Sequence, residues 1–467
     1  MFEIKALQLK ESKTCQQICD ILDCLVFKDA TIQRIKDVFI NEMELALSEK
    51  PSSLQMENTY IPELPDGTEA GVYLALDLGG TNFRVILMEL SGGEIIRETV
   101  EHYHIEDNLR IGDGESLFDF LAKCVDDFAR QNQLLDAVIY PMGFTFSFPM
   151  RQHSLDSGCL VTWTKSFNCP ALVGKDAVQQ LRASLRKCKR NNIKVLAILN
   201  DTTGTLVQGA RLDPQTRIGI VLGTGSNGCY MEYADRVCHW ETQRHGERHV
   251  IIDVEWGAFG DNGVLDFIKT DFDRALDDGS LLKKSFTFEK YIGGKYLGEL
   301  YRIILQYLYE RQLFWPNLAA ENFPRPWTFG SDNISKIEED IVNGSYVHLV
   351  DILRKDFKCV NITYTADDLE IMRYLSGLIS KRAAQLVAIN TSCLLNRMDE
   401  ETDITIAIDG SVYKHHPRLR SWISHFTNQW AANKRCKFIL VQDGSGKGAA
   451  LVAAIAKKIS DRNCAES

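Results

Sequence analysis

Long apolar runs are missing from this sequence: no stretch reaches the ~18 consecutive apolar residues that a membrane-crossing helix needs. Cysteine pairs at C-x-x-C spacing are missing too, although the chain has 13 Cys, an odd number scattered along its length. A disulfide-stapled scaffold is thereby excluded, and the cysteines read as reduced thiols, mostly small core fillers. Cys15, Cys19 and Cys24 come nearest to a cluster, but no His or second Cys group completes a zinc tetrad around them. Positive charge is in deficit, with 53 Lys+Arg against 63 Asp+Glu and a net charge of −10. Such a surface suits neither a nucleic acid nor an anionic membrane, so any phosphate must be gripped by local chemistry. The first residues, MFEIKALQLKESKTCQQ, lack the apolar run and small-residue cleavage site of a secretory signal, and the expected compartment is the cytosol.

What is present is ordinary globular composition: 467 residues, 45% of them hydrophobic, with 25% charged. At about 100–200 residues per domain this length allows two to four domains. Residues from about 14 to 50 read as helix, with Ile32, Ile35, Phe39, Met43 and Leu47 near 3.6 periodicity. After a polar stretch ending in the Asp66-Gly67 turn signal, short apolar strands begin to alternate with amphipathic helices. The strand-like runs are VYLALDL, FRVILMEL, AVIYPMGFTFSF, KVLAILN, IGIVLG, CYMEY, HVIIDVEW, ITIAIDG and KFILVQ. Helical runs include SLFDFLAKCVDDFARQ, DAVQQLRASLRKCKR, GKYLGELYRIILQYLYERQ, a long LEIMRYLSGLISKRAAQLVAINTSCLLNRM and the closing GAALVAAIAKK. The alternation predicts an α/β architecture with at least one largely parallel sheet.

One weak repeat stands out. LALDLGGTNFRVILMEL and IGIVLGTGSNGCYMEY share a plan of strand, Gly-rich turn and second strand, which predicts two related halves facing one another. In the first, Gly79 and Gly80 leave backbone N–H groups uncovered to wrap a phosphate, Thr81 and Asn82 add side-chain donors, and Arg84 adds charge. Asp77 ends a strand beside that tip, where a carboxylate can hold Mg²⁺ through its water shell. In the second, Gly223, Thr224, Gly225, Ser226 and Asn227 offer similar donors to a second phosphate group. Either tip taken singly reads equally well as a plain hairpin turn.

The segment Asp443-Gly444-Ser445-Gly446-Lys447-Gly448 is not a Walker loop, since Gly448 follows the Lys and Gln442 stands where the leading Gly belongs. It does set a Gly/Ser turn at the start of an Ala-rich helix, where free N–H groups favour an anion or nucleotide. Asp409-Gly410-Ser411-Val412 follows a strand and can pack a flat base or ribose. Polar residues at strand ends or in nearby loops supply Asn200, Asp201, Glu255, Ser147, Thr164 and Lys165. A carboxylate such as Asp201 beside an alcohol can act as general base, and several Asn, Glu and Ser side chains suit a polyhydroxylated ligand. The bland alternative for each is a turn former or helix cap. His239, His245 and His249 do not make H-E-x-x-H and read as surface-loop histidines.

Taken in order, LDLGGTNFRV, GFTFSFP, WTK-x-F, LNDT-x-GT, GTGSN-x-CYME, VEWGAFGD, EK-x-IGGKYLGEL, DGSVYKHHP and DGSGKGAAL resemble the eukaryotic hexokinase family over nearly the whole chain. The resemblance implies two actin-like (ribonuclease H-like) α/β domains around a central cleft. It implies ATP-dependent phosphorylation of the 6-hydroxyl of glucose or another hexose, with Mg²⁺ arriving with ATP. By that likeness Asp201 matches the general base and Lys165 the lysine near the transferred phosphate. Ser147, Thr164, Lys165, Asn200, Asp201, Asn227, Glu255 and Glu289 match the sugar-binding set. Gly80, Thr81, Asn82, Arg84, Thr224, Lys295, Ser331, Ser335, Gly410, Ser411, Val412 and Ser445 match or lie within nucleotide-contacting segments, beside Asp77, Gly79, Gly225 and Gly444 from the turns above. The family layout implies a small domain over 68–203, with a C-terminal helix at 446–467 returning to it, and a large domain from 1–67 and 204–445. A cytosolic monomer is expected, with no nucleic acid or membrane as partner.

Two departures stand out. Asp253 occupies a place where the family usually has Asn, adding negative charge near Asp201, Glu255 and Glu289, and Ser166 replaces a usual Gly. A competing reading is therefore a sugar-sensing protein with weak catalysis on the same fold. An actin- or chaperone-like ATPase is another, but it has no use for the sugar set.

Overall fold

Two sheets built on one plan organise the chain in its computed structural model, which describes residues 2–79, 82–165, 167–358, 364–398 and 403–466, with only the backbone of Asn82, Ala465 and Glu466. In chain order the strands are β1 Glu57–Asn58, β2 Gly71–Leu78, β3 Asn82–Ser91, β4 Glu94–His104, β5 Tyr140–Phe146, β6 Met150–Ser154, β7 Ser157–Leu160, β8 Ile193–Leu199, β9 Thr216–Leu222, β10 Ser226–Tyr233, β11 His249–Asp253, β12 Asp403–Asp409 and β13 Arg435–Leu440. One sheet runs β4-β3-β2-β5-β8 and the other β1-β11-β10-β9-β12-β13, while β6 and β7 pair separately. In each sheet an antiparallel three-strand meander (β2, β3, β4 and β9, β10, β11) is followed by two parallel strands. The two halves thus share strand order and direction, as the hairpin repeat anticipates. The expectation of a largely parallel sheet is corrected, because both sheets are mixed.

Alternation along β2 explains how the first sheet is buried on both sides. Leu74, Leu76 and Leu78 face a core with Phe118, Leu121 and Val125 of helix Glu115–Gln131 and with Val178 and Leu181 of helix Ala177–Lys187. Tyr73 and Ala75 face the other way, onto Leu206 and Val207 of helix Asp201–Leu212 and onto the run Ala449–Ala456 of helix Gly444–Glu466. That closing helix needs its small residues. A Cβ on Gly143 of β5 would stand 2.0 Å from the Ala449 carbonyl oxygen, and one on Gly448 2.2 Å from that of Gly204. Near-contact of backbones therefore holds the C-terminal helix between the first sheet and the 201–212 helix, and it brings Asp443 and Ser445 beside β3. The largest core surrounds the second sheet and the long helix Ala366–Arg397, which starts on a Thr365/Asp368 capping box.

Several local expectations change. The 14–50 helix is two helices, Ser12–Leu22 and Asp29–Leu47, because Val26 and Lys28 are extended, and the break lets both Leu25 and Phe27 turn into the core. Only Cys124, Cys169, Cys229 and Cys393 among the described cysteines are buried, so core filling is the minority role. His239 is held by Arg151 and the Gln152 carbonyl, and His249 opens β11, leaving His245 exposed. Among the described residues no helix is long and apolar enough to cross a membrane. No described group of three or more His, Cys, Asp or Glu is placed to hold a metal ion.

Candidate active site

Strand ends and first helical turns from both halves converge on one cavity of about 680 Å³. It is lined by Ser147, Thr164, Lys165, Asn200, Asp201, Asn227, Glu255 and Glu289, all eight residues expected to bind sugar. Asn200 ends β8 and caps helix Asp201–Leu212, its Oδ1 accepting from the Thr202 N–H at 3.3 Å. Its Nδ2 donates to Glu255 Oε1 at 3.0 Å. Asp201 consequently occupies the first helical position, where the helix dipole favours a negative charge. Lys165 Nζ lies 3.4 Å from Asp201 Oδ2. Lys165 and Glu255 both hold positive φ, 53° and 52°. For non-glycine residues that conformation costs about 1–3 kcal/mol and gathers at functional sites.

The wall opposite comes from the β9–β10 turn. The Ser226 N–H donates to Glu289 Oε2 at 3.0 Å, and Trp256 Nε1 donates to Ser226 Oγ at 3.1 Å. Gly225 leaves room for that carboxylate, since a Cβ here would stand 2.3 Å from Glu289 Oε2 and push it aside. Asn227 donates from Nδ2 to Asp253 Oδ1 at 2.7 Å. Burial raises the Glu255 carboxyl well above its usual range, with the Asp253 and Asp201 charges adding to it. Burial also raises Glu289, against the pull of the Ser226 N–H and Lys165. Ser147 is 4 % exposed and its hydroxyl has no partner among the described residues, the mark of a group that a ligand satisfies.

A second cavity, about 500 Å³, adjoins the first through Thr224 and Lys295. Ser331, Ser335, Ser411 and Val412 line it, together with His415 and His416. Lys295 lies in the first turn of helix Gly294–Glu310 and Ser331 opens helix Ser331–Asn343, so two helix N-termini border this space. Gly410 sits beside it at φ 118°, with its N–H on Asp409 Oδ1 at 2.7 Å. The second hairpin tip has fewer free donors than its sequence implies, because the Gly223 N–H donates to the Gly225 carbonyl at 2.9 Å and the Ser226 N–H to Glu289 Oε2, while the Gly223 and Thr224 carbonyls accept from the Gly294 and Lys295 N–H groups at 2.8 and 2.9 Å.

The residues expected at the first tip gather elsewhere. Arg84 is paired with both Asp77 and Asp443, and Ser445 Oγ donates to Asp77 Oδ2 at 2.8 Å. Arg84 is thus neutralised by two carboxylates rather than offering a free charge. Asp77, 7 % exposed, is already engaged by Arg84 and Ser445. Gly444 is tied to the second half by its N–H on Asp409 Oδ2 at 3.2 Å. Gly79 lines the first cavity. Gly80, Thr81, the Asn82 side chain and Ser166 lie outside the described residues.

Sequence reasoning missed Thr202, which links Asn200, Asp253 and Asn227, and the cavity walls Pro149, Leu282, Phe286 and Tyr296. Thr202 follows Asn200 and Asp201 directly, a signal that could have found it. Nothing local marks the apolar wall residues.

Comparison with known proteins agrees with this geometry. Two family models, both described as hexokinase, match residues 17–211 and 217–455, meeting at the end of the 201–212 helix. Hexokinase-1 of Bos taurus is 35% identical over 98% of this chain and 50% of its own length. The chain therefore spans about half the length of the mammalian relatives it matches. A hexokinase of Brugia malayi is 35% identical, over 93% of this chain and 76% of its own. The solved hexokinase of Schistosoma mansoni complexed with glucose superposes with a TM-score of 0.87 at 34% identity, covering 96% of this chain and 100% of that one. On sequence, fold and the length matched, this chain belongs to the hexokinase family.

Proposed function

We propose that this chain transfers the γ-phosphoryl group of ATP to the 6-hydroxyl of glucose or a related hexose. The observation that carries the reading is the convergence of eight polar side chains from both halves on one cavity, with Lys165 and Asp201 3.4 Å apart. Asp201 takes the proton of the reacting hydroxyl, and Lys165 faces the charge that develops on the transferred group. Ser147, Thr164, Asn200, Asn227, Glu255 and Glu289 hold the other hydroxyls, the orphan Ser147 Oγ finding its partner there. The adjoining cavity takes ATP, with Ser331, Ser335, Ser411 and Val412 around the nucleoside and Thr224 and Lys295 toward the phosphates. Lys295 brings positive charge to a polyphosphate there, and bound Mg²⁺ would supply charge neutralisation from the ATP side. Because Asp77 is committed to Arg84 and Ser445, its part toward that ion is at most through water.

The layout is a small lobe over 68–203 joined by the C-terminal helix 446–467, and a large lobe from 1–67 and 204–445. Two of the hydrophobic cores, one on each sheet, support it, although a third joins the two sheets and residue 203 falls inside the 201–212 helix. Closure of the lobes on sugar would exclude water as a rival acceptor. The chain works as a cytosolic monomer in this reading. Sugar sensing without turnover is not favoured, since base and lysine both reach the cavity. Asp201→Ala tests the assignment: turnover falls at least about a thousandfold while glucose still binds. Retained turnover in that variant would remove Asp201 as the base.

A further inference from the structure

Asp253 ends β11 in the middle of the second sheet, its Cα paired with Cys229 on β10 and with Glu57 on β1. The side chain is 4 % exposed. Its Oδ1 accepts from Asn227 Nδ2 at 2.7 Å and from Thr202 Oγ1 at 3.3 Å. Asn227 is held from its other end as well, its Oδ1 accepting from the Gly228 N–H at 2.7 Å. Thr202 follows Asp201 in the first turn of the 201–212 helix. One buried carboxyl therefore ties a wall of the cavity to the turn that carries the proposed base.

We propose that Asp253 is a positioning residue for the hexose: its ionised carboxylate fixes the Asn227 amide and the 201–202 turn, so that affinity for hexose falls when Asp253 is protonated. The inference rests on reading the cavity as the hexose site.

The chemistry of the contacts sets the direction. An ionised carboxylate only accepts hydrogen bonds, and both neighbours donate to it. Protonation at Oδ2 leaves both of these bonds on Oδ1 but removes the charge that strengthens them. The Asn227 amide and the 201–202 turn are then held less firmly, which loosens the wall. The titratable groups facing Asp253 are Asp201 from the helix, Glu57 from β1, Cys229 from β10 and Glu255 two residues on. Burial pushes the Asp253 carboxyl up to about 7, with the Asp201 and Glu57 charges adding to it and the Asn227 and Thr202 hydrogen bonds opposing it. The ionised fraction therefore changes most between pH 6 and 8. If only the ionised form binds, affinity is about tenfold weaker at pH 6 than at pH 8.

The test titrates the full chain with glucose at pH 6, 7 and 8, following tryptophan fluorescence, with KM and kcat measured in parallel. The wild type is expected to lose about tenfold in affinity toward pH 6, read in KM rather than kcat. Asp253→Asn should bind with an affinity that does not change with pH. Its neutral amide oxygen can still accept from Asn227 and Thr202, but without the charge, so that affinity should match the wild type's at low pH. Asp253→Ala leaves the Asn227 N–H without that acceptor and should bind weakly at all three pH values. A wild-type affinity that is flat with pH, or an Asp253→Asn variant that keeps the wild-type slope, overturns the inference while leaving a kinase that turns over intact. Binding that depends on pH through Asp253, without ADP release, upholds it and overturns the kinase reading. Absence of glucose binding overturns both.

Discussion

Gly225→Ala probes the sugar wall by displacing Glu289 without replacing a proposed sugar ligand. The new Cβ would stand 2.3 Å from Glu289 Oε2 and 3.0 Å from its Cδ. Both atoms lie at the free end of a side chain, so the clash is relieved by swinging the carboxylate, not by moving backbone. That swing breaks the 3.0 Å hydrogen bond from the Ser226 N–H. A hydrogen bond to a charged group contributes about 1.5–3 kcal/mol. Loss of a ligand contact of the same kind corresponds to a rise in glucose KM of about 10- to 100-fold. Glucose titration by tryptophan fluorescence suits the measurement, because Trp256 Nε1 donates to Ser226 Oγ beside the altered turn. In a Glu289→Ala background the same glycine substitution should add almost nothing. A folded Gly225→Ala protein with unchanged glucose affinity would refute the placement of Glu289 on the sugar.

Three further substitutions test other parts of the structure. Lys165→Met should lower kcat by about 100-fold or more while glucose affinity changes by a few-fold, since the lysine faces the transferred group; steady-state kinetics decide. Gly143→Ala puts a Cβ 2.0 Å from the Ala449 carbonyl oxygen, backbone against backbone, and should cost more than about 3 kcal/mol, read as a lower Tm or loss of soluble protein. Asp253→Asn should stabilise the protein increasingly as pH rises. Burial pushes the folded carboxyl up to about 7 from its ordinary 3.8, so the folded state holds the extra proton between those values and wild-type stability falls across that window. The Tm difference should be small at pH 4 and reach its full size above pH 7, an order of a few kcal/mol at most; a constant difference would contradict the burial argument.

The nine strand runs were legible because each is a short apolar stretch bounded by turn residues, and the repeated Gly-rich hairpin correctly signalled two halves on one plan. β4 was not, since EIIRETVEHYH mixes charge into an edge strand that is largely solvent-facing. Direction within the sheets was misread because helices also follow meander strands, so alternation alone overstated parallel pairing. At the site, Asn200, Asp201, Ser147 and Glu255 announced themselves as polar groups ending or flanking apolar strands. Glu289 did not, because it lies on helix Thr287–Ile292, far in sequence from the Gly225 and Ser226 turn it meets, and it was named on family likeness alone. Likewise the pairing of Arg84 with Asp443 spans 359 residues and depends on the closing helix packing against β5, which no local pattern encodes.

Phosphate transfer to sugar is most directly measured with γ-labelled ATP and glucose, separating the products and assaying hexose 6-phosphate with a dehydrogenase specific for it. Label in hexose 6-phosphate from the wild type, and none from an Asp201→Ala protein that still binds glucose, is the expected result. Release of ADP at the same rate with and without hexose, or no sugar phosphate from a folded wild type that binds glucose, would contradict it.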